Sequence, residues 1–218
     1  MTSSGVMQKN RFDALMGELA LRLATVGFIP MRRDQAFRRG RPDGADIIHI
    51  SFIRYPTSFD ATMDVAVRID AIEKSVGASN AVPSASARKK TATVGVEIGN
   101  LSQGSHLAWN IDELTAIDRV ALDIFLHVER FGLPFFARFG DIATVTTMLC
   151  RDDPEAMRYS PFHHVRASRA VAGLLALGMT GKAREIAGKK VSFMRELQDP
   201  NLEFFLRFLW GVNLPIAE

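Results

Sequence analysis

Five arginines, Arg32, Arg33, Arg38, Arg39 and Arg41, fall within ten positions of a 218-residue chain. Guanidinium groups at that density suit phosphate, through charge and through paired hydrogen bonds. Phe37 and Tyr55 are the nearby aromatic side chains on which a base could stack. The same arginines also have a structural reading, because charge beside a sheet edge discourages edge-to-edge pairing. Residues 36–54 read as a β-hairpin about the "RPDG" turn, with an apolar strand following the basic one. In a strand, Arg38 and Arg39 point to opposite faces. The cluster then does not converge, and a solvated rim is the expectation.

Asp60, Asp64 and Asp70 are the second constellation. In "FDATMDVAVRID" they share the polar side of an alternating segment with Arg68. Carboxylates in a row can serve acid–base chemistry or hold a hard cation. A solvated strand face with Arg68 as counter-charge is the simpler account, since no second acid cluster or nucleophile accompanies them. His163 and His164 are adjacent, so on a helix their rings point about 100° apart. Zinc-binding helices space histidines four apart, and no metal site is expected. Cys150 reads as a small buried hydrophobe. The sequence contains no phosphate loop, dinucleotide fingerprint, HExxH, CxxC or GxSxG. No cofactor and no catalytic residue is expected.

The elements that position these residues follow from periodicity. Phe12, Leu15, Leu19, Leu23 and Val26 make one stripe of a helix over 9–26, with Gly27 just past its end. Phe59, Met63, Val65 and Val67 alternate with polar neighbours, as do Val94 and Val96 in "TATVGVEI", predicting strands with these six side chains in the core. A loop is expected over 77–90, from its Gly, Ala and Ser content, ending in Arg88, Lys89 and Lys90. The period then becomes helical. Leu114, Ile117, Ala121, Ile124, Val128 and Phe131 line a helix over 111–131, capped by Asn110 or Asp112 and stopped by Gly132 and Pro134. Trp109 reads as a core anchor. A helical pair is expected at 163–177 and 181–198. "NLEFFLRFLW" follows, with seven of ten residues Leu, Phe or Trp, and is expected to be buried on two sides, one on the helical pair and the other on the α+β part or on a second copy of the chain.

The order is an N-terminal helix, an antiparallel sheet of about four strands and a C-terminal helical part: α+β. The chain divides as an α+β part over 1–150 and C-terminal helices over 151–218, packed as one unit.

Composition is ordinary, 47% hydrophobic and 23% charged, with a net charge of +3. That is too little charge for a polycation. Basic residues exceed acidic ones eight to four in 1–45, fall behind eight to eleven in 46–137, and lead ten to six in 138–198. A single cysteine excludes an internal disulfide. With no signal-like start and no membrane-length apolar run, a cytoplasmic location is expected.

"LRLATVGF", "AFRR", "DIIHISFIRY", "FDATMDVAVRI", "HLAWNID" and "FGLPFFARFGD" together resemble domain of unknown function 4304, a bacterial family, over roughly residues 10–150. The shared positions are Gly27–Phe28, Phe37–Arg38, Ile48–Phe52, Phe59–Val67, Trp109 and Gly132–Phe136, most of them apolar core. The family's usual glutamine near the end of the second strand motif is replaced here by Phe52-Ile53-Arg54. The resemblance implies an α+β fold and bacterial origin, and brings no activity or catalytic residue. It favours the style of an immunity or accessory protein.

The leading expectation is a non-enzymatic protein-binding module, monomer or homodimer, acting through the polar sheet face or the C-terminal helices. Nucleic-acid binding through the arginines, and a hydrolase using Asp60, Asp64 and Asp70, are the alternatives.

Overall fold

The computed structural model describes residues 3–79 and 91–215. Helix α1 spans Ser3–Ala24 and ends as expected. Gly27 adopts φ +87°, and the Phe28 amide donates to the Leu23 carbonyl. This closes the last turn in the left-handed conformation that favours glycine. Three strands follow: β1 Ile29–Met31, β2 Ala36–Arg41 and β3 Gly44–Arg54. A 3-10 turn, Arg32–Asp34, separates β1 from β2. Strand β4 is Phe59–Ile69, helix α2 is Asp70–Ser79 and strand β5 is Val94–Glu97. Then come α3 (Ile98–Ser102), β6 (Trp109–Ile111) and α4 (Ile117–His127). A π turn, Val128–Gly132, leads into α5 (Leu133–Arg138). The remainder is helical: α6 Ile142–Leu149, α7 Pro154–Tyr159, α8 His163–Ala176, α9 Thr180–Glu196 and α10 Leu202–Gly211.

The fold is therefore α+β. The sheet order is β1-β2-β3-β4-β5, with β6 also paired to β4. β1–β2, β2–β3 and β4–β6 are antiparallel. Phe59, Met63, Val65, Val67, Val94 and Val96 are all buried, as the alternation requires. The β2–β3 turn is the two-residue Pro42-Asp43, with Arg41 opposite Gly44.

Several local expectations change. Two three-residue strands, β1 and β6, were not anticipated, because three residues show no period. The strand expected from residue 91 begins only at Val94, and Ile98 starts α3. Asp70–Ser79 is helix, so the expected loop starts later than residue 77; its remainder, with Arg88, Lys89 and Lys90, lies outside the described residues. Helix α4 starts at Ile117 and not at 111. Asp112 instead caps a turn, accepting from the amides of Leu114 and Thr115, and Leu114 is 87% exposed. Gly132 and Pro134 do not stop the helical path. It passes through the π turn, and Pro134 sits in the first turn of α5, where an amide hydrogen has no helical partner anyway.

Contacts divide the chain into two units, one of Met1–Ala66 with Val96–Ala137, the other of Val67–Gly95 with Arg138–Glu218. The division is discontinuous along the chain, whereas the sequence places a single boundary at about residue 150. In the first unit, Leu15, Leu19 and Leu23 of α1 are fully buried, and α1 packs along α4 through Ala121 and Ile124. Phe12 packs edge-on against Phe52 of β3 at 4.2 Å between centroids. Trp109 is buried, and its indole N–H donates to Asp123 at 2.6 Å.

The second unit is built around α8, which packs on α2, α6, α9 and α10. Its small residues, Ala167, Ser168, Ala170, Ala172 and Gly173, let these neighbours approach closely. Of the apolar residues of α10, Phe205, Phe208 and Leu209 are buried, whereas Phe204 and Trp210 are 49% and 70% exposed. Within the single chain one face of this helix is therefore in the core, while Phe204 and Trp210 stay exposed, so its second side is not covered by the described residues of this chain.

Candidate functional site

The arginine cluster is largely committed within the first unit. The register of the hairpin sets Arg39 directly across from Asp46. Arg39 Nε donates to Asp46 Oδ2 at 2.9 Å, and Arg41 donates to Asp46 Oδ1 at 2.9 Å. Asp46 is 1% exposed. Arg39 also donates to the Val26 carbonyl and lies over the ring of Phe28, 4.8 Å from its centroid. Arg39 and Arg41 thus neutralise a buried carboxylate, which is a core role and not a rim. Arg33 is exposed and Arg38 is half-buried. Arg32 lies in the 3-10 turn. The guanidinium groups of Arg39 and Arg41 are thus turned to Asp46 rather than to a shared phosphate-binding face.

The acid row is dispersed too. Asp60 accepts from Tyr55 at 3.1 Å and from Asn110 at 2.7 Å. Asp64 lies 4.0 Å from His49. Asp70 is the first residue of α2 rather than part of the strand, and accepts from Arg68 Nε at 2.8 Å. Arg68 itself is 4% exposed, donating to the Thr91 carbonyl and hydroxyl, so the expected solvated face is partly closed. Among the described residues, no three of His, Cys, Asp or Glu are placed to hold a metal ion. No helix of the described residues is long and apolar enough to cross a membrane.

A concave site lies instead in the second unit, at the start of α8. A pocket of about 410 Å³ is lined by Pro161, Phe162, His163, His164, Leu197, Asp199, Pro200 and Asn201. Its position follows from local chain chemistry. Pro161 precedes the first turn of α8, and the α9–α10 connection carries Asp199 and Pro200. Asp199 Oδ1 accepts from the Asn201 amide and side chain at 2.8 and 3.2 Å, which fixes that connection. Phe162 is 65% exposed on the pocket lip. Its ring sits 6.4 Å from that of His164, which in turn sits 5.8 Å from Phe204. Burial pushes the His164 imidazole below its usual value, with Asp199 opposing the shift.

Behind the pocket lies a buried polar cluster. Arg166 is fully buried on α8. It donates to Asp152 Oδ1 at 2.8 Å, to the carbonyls of Arg151 and Ser160, and to His163 Nδ1 at 2.8 Å. Lys190 of α9, 3% exposed, donates to the same Asp152 oxygen at 2.7 Å. Burial lowers the Lys190 pKa, against the pull of Asp152. Sequence reasoning noticed His163 and His164 but missed Asp199 and Phe162. The "DPN" after α9 has turn composition, and an aromatic between Pro161 and two histidines is an unusual helix start. Those were the available signals.

No family model, characterised protein or solved structure matches the chain.

Proposed function

We propose that the protein is a non-enzymatic protein-binding module that binds through the aromatic rim of the pocket at the start of α8. Phe162 carries the proposal. It stands 65% exposed on the lip of a concave site, in a run of rings that continues through His164 to the half-exposed Phe204. Large apolar side chains gathered at a concavity and fringed by polar groups are the usual make-up of a binding hot spot. Leu197, 51% exposed, extends the same rim.

Neither alternative gains comparable support. Arg39 and Arg41 are held by Asp46, which weakens a phosphate-binding role. Asp60, Asp64 and Asp70 have separate partners, which weakens a shared hydrolytic one.

The test is affinity capture from a lysate of the source cells, with the parent protein and Phe162→Glu run side by side. Phe162 is 65% exposed, so the substitution should leave the fold intact. A partner retained by the parent and lost from the variant supports the proposal. Identical captured sets overturn it. Sedimentation of the same two proteins reads whether the partner is a second copy of the chain.

A further inference from the structure

We propose that the α8 pocket binds an apolar peptide segment by its main chain, with His163 donating to a carbonyl and Asp199 accepting from an amide N–H. The proposal rests on the protein-binding function above and specifies the chemistry of that site.

The polarity of His163 is set from behind. A guanidinium has only donors. With Arg166 donating to His163 Nδ1 at 2.8 Å, that nitrogen must present its lone pair. The ring N–H then sits on Nε2. Arg166 cannot swing away, because Asp152 and the carbonyls of Arg151 and Ser160 hold it in a fully buried position. His163 lines the pocket, and its Nε2–H has no hydrogen-bond partner among the described residues. His163 is therefore a pocket-lining residue that carries a committed donor.

Asp199 supplies the opposite pole. One of its oxygens is used by Asn201; the other accepts no hydrogen bond from the described residues. Pro161, Phe162, Leu197 and Pro200 form apolar walls around both groups. A phosphate or carboxylate would satisfy His163 but face the Asp199 charge. An amine would satisfy Asp199 but leave His163 without an acceptor. A peptide unit beside an apolar side chain satisfies both and fills the walls.

The experiment is an amide-resolved NMR titration of the full chain with N-acetyl-leucine methylamide, and separately with N-acetyl-leucine, whose carboxylate replaces the second amide. The expected result is saturable shifts at 161–164 and 197–201 with the methylamide, at a dissociation constant on the order of 1 mM for so small a probe. The carboxylate binds the parent more weakly. Asp199→Asn keeps an oxygen for Asn201 and turns the free acceptor into a donor. It should weaken the methylamide about tenfold and narrow or reverse the preference against the carboxylate. Absent or scattered shifts, a parent that prefers the carboxylate, or an Asp199→Asn variant that binds the methylamide as well as the parent does, would overturn the proposal. The two-probe comparison on the parent decides the matter even should the variant fold poorly. A partner lost with Phe162→Glu but held equally by Asp199→Asn would overturn this inference and leave the protein-binding function standing.

Discussion

Arg39 and Asp46 face each other across the β2–β3 ladder, their side chains joined by hydrogen bonds of 2.9 and 2.8 Å, with Arg41 closing on the other carboxylate oxygen. The carboxylate is buried while both arginines keep part of their surface in water. Removing the acid leaves two partly buried guanidinium groups without their counter-charge. Asp46→Ala should therefore lower the unfolding free energy by about 3–5 kcal/mol. Arg39→Met should cost less, because Arg41 still neutralises Asp46. Urea denaturation of the three proteins, compared at equal slope, checks the order.

That pair was legible in the sequence, though only through register. The "RPDG" turn makes residues 41 and 44 partners, and the count then sets 39 opposite 46. Reading the arginines as a list of charges concealed this; reading them as rungs of a ladder reveals it. The strand alternation of 59–69 was equally legible, because eleven residues hold a clear period. β1 and β6 were not, at three residues each. Exposed Phe204 and Trp210 could not be read either, since composition gives the apolar content of α10 but not the area its neighbours cover. The pocket joins residues nearly forty positions apart, which only the packing of α8, α9 and α10 brings together.

Gly173 marks a close approach of α6 to α8. A Cβ there would lie 2.1 Å from Thr146 Oγ1 and 3.0 Å from its Cβ. Helix propensity alone would make Gly173→Ala stabilising by about 1 kcal/mol. The clash should reverse the sign and give a net loss of about 1–3 kcal/mol. Thr146→Ala removes the two nearest atoms outside Cβ, so the double variant should recover part of the loss. A double-mutant cycle by thermal melting measures that coupling.

Asp152 carries two buried cations on one oxygen, Arg166 and Lys190. Removing the acid and removing one cation should have unequal effects. Asp152→Ala strands both cations and should cost about 3–5 kcal/mol. Lys190→Met removes a charge that burial already disfavours and keeps the apolar stem, so it should change stability by less than about 1.5 kcal/mol. Equal losses from the two changes, in equilibrium denaturation, would contradict this division.

His164 makes stability depend on pH. Its folded pKa lies below the ordinary 6.5, chiefly through burial. The unfolded chain therefore takes up the proton first as pH falls. The contribution of His164 is fully present above about pH 6.5 and declines as pH drops through that value toward the lower folded one. His164→Gln should flatten the stability profile on the acid side of neutrality. Parallel urea titrations at stepped pH read the difference in slope.

Photo-crosslinking in the source cells tests the binding role of the α8 pocket most directly. Phe162 is replaced by a photoreactive phenylalanine analogue, and the same analogue at Leu114, 87% exposed in the first unit, serves as control. A discrete heavier adduct from position 162 and none from position 114 is the result predicted. No adduct at 162, or the same adducts from both positions, would contradict it.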